Sequence, residues 1–250
     1  PIYASASYAL SVLPEDFHEW EYLANSRTPE AYNKIVKGNA DIIFVAQPSG
    51  GQKKRAEESG VTLIYTPFAR EAFVFIVNAD NPVNSLTEQQ VRDIFSGAIT
   101  NWRTVGGNDQ EIQTWQRPED SGSQTVMQSQ VMKNVRMISP QETEVASMME
   151  GMIKVVAEYR NTNNAIGYTF RYYATQMNDD KNIKLLAING IAPTAENIRN
   201  GKYPYIVDAF MVTRENTTSE TQKLLEWFLT PQGQSLVEDV GYVPMYKTLP

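Results

Sequence analysis

The chain has 250 residues, 42% of them hydrophobic and 20% charged, so it can bury the core of one large domain or of two lobes. Its formal net charge of −7 argues against a nucleic-acid partner, because binding a phosphate backbone requires a positive field. A small anion is compatible with that charge, since a few local hydrogen-bond donors can hold one.

Residue types that are absent or rare exclude further kinds of metal site and catalytic site. The sequence has no cysteine, which excludes disulfides, thiolate metal sites and cysteine nucleophiles and suits an exported protein. His18 is its only histidine, which argues against a serine–histidine triad and a histidine-ligated zinc, and no cofactor is expected. No run approaches the roughly 20 apolar residues of a membrane span. The start at Pro1, without Met or signal peptide, is what we expect of a mature or trimmed fragment.

Apolar strands and amphipathic helices alternate along the chain, which is typical of an α/β protein. Strands are predicted at 41–46, 62–66, 72–78, 112–116, 165–170, 183–188 and 207–213. Helices are predicted at 29–38, 86–97, 123–134, 145–160, 194–201 and 218–240, the last kinked or broken at Pro231. Several strands are apolar on both faces, which predicts a sheet with helices on each side.

Helix start signals accompany two of these segments. Thr28 is predicted to cap the helix 29–38, because it directly precedes a proline in the first helical turn. Thr87 and Gln90 have the spacing of a capping box at the start of 86–97.

The two most apolar strands, 72–78 and 207–213, lie far apart in the sequence, with about half the chain between them. That intervening half has enough strands and helices to form a lobe of its own. We therefore predict one domain inserted into another, with 1–72 and 209–250 forming lobe I and 73–208 forming lobe II.

The segment 117–123, which leads into the helix 123–134, is rich in polar residues. The candidates for binding an anion there are Arg117, Ser121, Gly122 and Ser123. Free amides and hydroxyls at a helix start would converge on one point, and the helix dipole adds roughly half a positive charge there. The arginine would supply a fork of donors suited to an oxyanion. A plain helix cap, with Arg117 paired to Glu119 or Asp120, uses the same residues, so both interpretations stay open.

Two other places offer similar chemistry. Thr28 opens a second helix N-terminus, although an ordinary cap would have the same sequence. The predicted loop 46–52 follows an apolar strand and contains Gln47 and Ser49, and such loops bind ligands in open α/β sheets. No GxxxxGK[ST] motif occurs in the chain, so nucleotide hydrolysis has no support.

Several motifs in the same order resemble the phosphate-binding subunit of bacterial ABC importers. The resemblance is carried by 93-DIFSGAITNW-102, VGG at 105–107, 117-RPEDSGSQT-125, 165-AIGYTF-170 and 227-WFLTPQGQSLVEDVGYVPM-245. It covers nearly the whole chain. It implies the type II periplasmic-binding-protein fold, in which two α/β lobes are joined by two crossing strands and an oxyanion is held in the cleft.

The resemblance also assigns residues to the site. Arg117, Ser121, Gly122 and Ser123 match the second-lobe arginine, serine, glycine and hydroxyl residue of the family, and Thr28 falls where the first lobe presents a serine. It further implies a monomeric, non-enzymatic receptor outside the cytoplasm, in the periplasm or lipid-anchored at the cell surface. Such a receptor delivers phosphate, or a similar oxyanion, to a membrane permease.

The chain departs from the family pattern at two places. The loop from Ala46 to Ser49 has no aspartate, and Gln47 stands nearest to where the family places one. A glutamine carries no charge, so we expect weaker discrimination between protonated phosphate and sulfate. The second departure is at the front, where the family's first strand and its anion loop have no counterpart before the first helix.

Two alternatives to phosphate delivery remain. One is a binding or sensing module for another small anion, such as sulfate, molybdate or an organic anion. The other is an exported phosphatase, which is disfavoured because the sequence has no histidine pair, no cysteine and no clear carboxylate cluster for a metal.

Overall fold

The structure is a computed structural model that describes residues 26–133, 135–140, 145–146, 149–158, 164–176, 182–246 and 248. Outside these residues lie His18, residue 134 of the predicted helix 123–134, and residues 147–148 and 159–160 of the predicted helix 145–160. The strands are β1 (Ile42–Val45), β2 (Leu63–Asn78), β3 (Ser85–Leu86), β4 (Gln113–Thr114), β5 (Ala165–Phe170), β6 (Ile183–Leu185), β7 (Ala187–Ile188), β8 (Ile206–Arg214) and β9 (Val243–Pro244). The helices are α1 (Thr28–Lys37), α2 (Gly50–Glu58), α3 (Glu88–Ser96), α4 (Gly122–Val126), α5 (Met149–Glu158), α6 (Arg171–Thr175), α7 (Ala195–Arg199), α8 (Ser219–Leu229) and α9 (Pro231–Asp239).

The chain divides into two compact units. Unit 1 comprises Pro1–Arg70 and Asp208–Pro250, and unit 2 comprises Glu71–Val207. Both passages from one unit to the other fall within strands, because β2 contains residues 70 and 71 and β8 contains residues 207 and 208. The predicted lobes, with boundaries at 72/73 and 208/209, stay a prediction.

Unit 1 is a sheet covered by helices on both faces. Strand β8 lies between β1 and β2, antiparallel to β1 with Ile43 opposite Val212. One face packs on α1 and the other on α8 and α9. The α1-side core consists of Ala31, Tyr32, Ile35, Ile43, Val45 and Val212. The opposite core consists of Phe68, Ala69, Met211, Leu225, Phe228 and Val237. This arrangement explains why these strands are apolar on both faces.

Unit 2 is built around β5. This strand runs antiparallel to β2 and parallel to β4, and β6 adds to β2. Buried aromatic rings fill its core, with Tyr168 at 5.4 Å from Phe73 and 5.5 Å from Phe95 between ring centroids. Gly167 has no side chain because α5 packs directly on it, and an added Cβ would collide with Met152. The short strands β3 and β7 form a separate parallel pair.

Several element predictions are confirmed. Thr87 caps α3 in a capping box, since its Oγ1 accepts from the amide of Gln90 at 3.1 Å and its amide donates to the Gln90 side chain at 2.8 Å. The C-terminal helix is broken at Pro231, as expected. Thr230 ends α8 and caps α9 by accepting from the amide of Gly233 at 3.2 Å.

Other element predictions are wrong. The candidates 62–66 and 72–78 are one continuous strand, β2, which carries the chain from unit 1 into unit 2. The predicted strand 183–188 is divided into β6 and β7, which pair with different partners. The helix predicted from residue 123 is α-helical only to Val126 and continues as a π-helix over Met127–Met132.

Thr28 does not cap α1, contrary to the prediction. It is the first helical residue, and Arg27 occupies the N-cap position. The reason is Glu30, whose carboxylate accepts from the Arg27 side chain at 2.6 Å and from the Arg27 amide at 3.3 Å. The helix therefore begins one residue earlier than its proline suggested.

The stretch 46–52 is not a loop throughout. Its second half begins α2, which Ser49 caps through its Oγ, an acceptor for the amide of Gln52 at 3.1 Å. The Gln52 side chain in turn accepts from the Ser49 amide at 2.9 Å. This capping box outweighs the two glycines at the helix start.

Candidate functional site

The candidate site in unit 2 starts where the chain leaves β4. A turn connects β4 to α4, closed by a hydrogen bond of 3.2 Å from the Ser121 amide to the Pro118 carbonyl. Asp120 lies in this turn with a left-handed backbone, φ 64°. Ser121 then caps α4, because its Oγ accepts from the amide of Gln124 at 3.3 Å. The cap interpretation of the sequence is therefore correct for Ser121.

The start of α4 also presents donors that the described residues leave open. The amides of Gly122 and Ser123 are the first of the helix and have no acceptor in the part of the chain that the structure describes. Ser123 is 1% exposed, and its Oγ has no hydrogen-bond partner among the same residues. A buried hydroxyl left unsatisfied costs about 1–3 kcal/mol, so Ser123 and these amides are candidates for binding a ligand.

Arg117 brings a positive charge to the same segment. Its side chain is buried, and Nη1 donates to the Ala146 carbonyl at 2.8 Å. Its backbone amide donates to Tyr168 Oη at 3.1 Å and, more weakly, to Gln124 Oε1 at 3.4 Å. The Tyr168 hydroxyl itself donates to Gln124 Oε1. Arginine, strand β5 and helix α4 are thus joined by one buried network.

The charge of Arg117 influences the pKa values of two tyrosines, Tyr168 and Tyr173. Burial raises the pKa of Tyr168 well above its usual range, and hydrogen bonding and the positive charge from Arg117 only partly oppose that rise. Burial likewise raises the pKa of Tyr173, and Arg117 is the leading opposing influence. Both phenols therefore stay protonated at neutral pH, so they can donate hydrogen bonds.

The remaining predicted site residues belong to unit 1. Thr28 is the first residue of α1, Gln47 follows β1, and Ser49 caps α2. Tyr32 on α1 donates to the Ala46 carbonyl at 3.2 Å, so the helix that starts at Thr28 is tied to the loop that contains Gln47. Unit 1 thus contains three of the candidates, and unit 2 contains Arg117 and residues 121–123.

Sequence reasoning missed two residues of the arginine network. The sequence pattern predicts only a helix at Gln124 and a strand at Tyr168. Both are almost fully buried and contact the Arg117 backbone. The sequence carries no local signal for them, because the network depends on the parallel pairing of β4 with β5, in which Gln113 lies opposite Ala165.

The described residues offer neither a metal-binding group nor a helix that could span a membrane. They contain no group of three histidine, cysteine, aspartate or glutamate side chains that could hold a metal ion. Within the same ranges, none of the helices has both the length and the apolar character needed to cross a membrane.

Two α/β units connected through strands, with an arginine and a helix start as candidate ligand groups on one of them, are typical of the class of periplasmic-binding-protein folds. Residues 18–232 match the family model described as PBP superfamily domain, and the chain belongs to this family. The predicted type II periplasmic-binding-protein fold is confirmed.

Named relatives and solved structures agree with this assignment. The chain is 29% identical to the phosphate-binding protein PstS of Bacillus subtilis over 83% of its own length, and it spans 64% of that relative. It is 26% identical to PstS of Borreliella burgdorferi, covering 85% of this chain and 74% of the relative. An ABC-type phosphate transport receptor from Vibrio cholerae shares its fold with TM-score 0.68 at 23% identity, covering 99% of this chain and 93% of that one. A Clostridium perfringens protein, assigned as a phosphate ABC transporter substrate-binding protein and solved with bound phosphate, gives TM-score 0.71 at 24% identity, covering 86% and 84%.

Proposed function

We propose that this chain is a solute-binding protein that captures inorganic phosphate and delivers it to an ABC permease. The observation that carries the proposal is the start of α4. Two amides and the buried hydroxyl of Ser123 have no partner there among the described residues, and Gln124, the next residue of the helix, is hydrogen-bonded to Arg117. These groups can all donate hydrogen bonds, and an anion can accept from several of them at once. The relatives named PstS support phosphate as that anion.

We propose binding without catalysis. An arginine, two amides and a serine hydroxyl hold an oxyanion by charge-assisted hydrogen bonds, which are strongest in a site shielded from water. We propose further that Thr28, Gln47 and Ser49 supply the donors of unit 1. Gln47 can accept one hydrogen bond from protonated phosphate through its amide oxygen.

The setting of the protein is part of the proposal. We infer an extracytoplasmic location, in the periplasm or lipid-anchored at the cell surface, and action as a monomer with a membrane permease as partner. Support comes from relatives and structural neighbours that are named as phosphate ABC transport components.

A second candidate is a receptor for another oxyanion. The observation that favours it is Gln47, a neutral side chain where the resembling family has an acid. Fully ionised sulfate has no proton to donate, so a carboxylate would repel it and an amide would not.

Isothermal titration of the full chain separates these candidates. We expect one phosphate per chain, with sulfate competing measurably at every pH because Gln47 carries no charge. A titration with phosphate that gives no heat of binding, or that shows no competition between phosphate and a second anion, would overturn phosphate capture. Sulfate or molybdate binding at least tenfold tighter than phosphate would establish the second candidate instead.

A further inference from the structure

We propose that Tyr168 is a positioning residue, which fixes the Arg117 backbone and thereby aims the guanidinium at the anion. This inference rests on the proposed function, since it assumes that Arg117 binds the anion. Tyr168 belongs to β5 and is completely buried, so it does not itself have to reach the ligand.

The hydroxyl of Tyr168 connects three parts of unit 2. It accepts from the Arg117 amide at 3.1 Å and donates to the side-chain oxygen of Gln124 on α4. Gln124 is 3% exposed, so neither bond competes with bulk water. Through this one oxygen, β5 sets the spacing between the arginine and helix α4.

The phenol ring is itself held rigidly. Its centroid lies 5.4 Å from that of Phe73 and 5.5 Å from that of Phe95, and all three rings are buried. A hydroxyl fixed by its own ring packing gives the Arg117 amide a defined partner. The guanidinium is anchored separately, through Nη1 and the Ala146 carbonyl. Fixing both ends reduces the freedom that the arginine would otherwise lose when an anion binds.

The protonation state suits this double role. Because burial raises the pKa of Tyr168, its hydroxyl keeps its proton across the physiological range. It can therefore donate to Gln124 and accept from Arg117 at the same time, and pH changes in that range do not break the connection.

The test compares Tyr168→Phe with Tyr203→Phe in the full chain. Tyr203 is also a buried tyrosine of unit 2, and its hydroxyl donates to the Phe73 carbonyl at 3.2 Å, so its substitution removes a hydrogen bond outside the Arg117 network. We expect Tyr168→Phe to weaken phosphate binding about fivefold and Tyr203→Phe to leave the Kd unchanged. In phosphate-free protein, NMR should show faster exchange of the Arg117 amide proton only in Tyr168→Phe.

A double-mutant cycle distinguishes positioning from general stabilisation. If Tyr168 acts through Arg117, Tyr168→Phe should have no further effect on the phosphate Kd in an Arg117→Ala background. The same fivefold loss in that background would show a merely structural role and overturn the proposal. A wild-type chain that does not bind phosphate would refute the proposed function, whereas normal binding by Tyr168→Phe would refute only the role of Tyr168. Unchanged amide exchange at Arg117 would also overturn it, whatever the ligand.

Discussion

Arg117 combines burial with charge, which makes it the residue on which anion affinity should depend most. Its side chain is buried, and the described partner of its Nη1 is a neutral carbonyl, that of Ala146. An anion bound by this guanidinium would gain its charge interaction in a site of low effective dielectric.

We expect Arg117→Ala to weaken phosphate binding at least tenfold, about 1.4 kcal/mol or more, because a charge-assisted bond is lost. Arg103→Ala is the matched control. Arg103 belongs to the same unit but is exposed and paired with Asp109 at 3.2 Å. Calorimetry that shows equal phosphate affinities for the two variants would refute the role of Arg117.

The two serines at the start of α4 should separate affinity from stability. Ser121 caps the helix, so Ser121→Ala should lower the free energy of unfolding by about 1 kcal/mol in the absence of phosphate. Ser123→Ala removes a buried hydroxyl without a partner among the described residues, so it should cost little stability. It should instead lower phosphate affinity by about 1–3 kcal/mol. Urea unfolding and calorimetry on both variants measure the two effects, and equal stability losses would contradict this division.

At the scale of elements, α9 is fastened to unit 1 by one buried side chain. The side-chain nitrogen Nε2 of Gln234 donates to the carbonyls of Phe68 and Phe228 at 2.9 and 2.8 Å. Its oxygen accepts from the amides of Met245 and Tyr246, each at 2.9 Å. A single residue thus satisfies backbone groups of β2, α8 and the C-terminal segment.

Replacing Gln234 by leucine should leave these four backbone groups without their partner. We expect a loss of roughly 2–4 kcal/mol in the free energy of unfolding, since several buried groups become unsatisfied together. Gln222→Leu on the exposed face of α8 is the control, because the side-chain amide of Gln222 donates to Glu226 on the same helix. Similar thermal unfolding of the two variants would show that the network contributes little.

Elements were predictable from the sequence where a local signal determines them. The Thr87 cap and the break at Pro231 depend on neighbours within three residues, and both are as expected. Helix α2 escaped prediction because its polar sequence has no apolar periodicity, and only Gln52 and Ala56 are buried. The part of Tyr168 in the Arg117 network depends on strand pairing across some 50 residues, which no local pattern encodes.

At the scale of the whole molecule, one buried carboxylate should make folding depend on pH. Glu71 opens unit 2 within β2 and is 4% exposed. Its two oxygens accept from the amides of Ala72 and Tyr172 at 2.7 and 2.9 Å. Burial nevertheless raises its pKa to about 7, because those hydrogen bonds and the charge of Arg171 only partly offset the loss of water.

The sign of the effect follows from comparing the folded and unfolded chains. An unfolded glutamate ionises near its ordinary pKa of about 4.3, whereas Glu71 holds its proton until about pH 7 in the folded chain. Its contribution to stability is therefore complete below about pH 4 and is lost as the pH rises through 7, by roughly 3–4 kcal/mol. Glu71→Gln should abolish this loss, which urea unfolding at several pH values measures. The exposed Glu196→Gln, in the same unit, should retain it, and parallel pH profiles for wild type and Glu71→Gln would contradict the assignment.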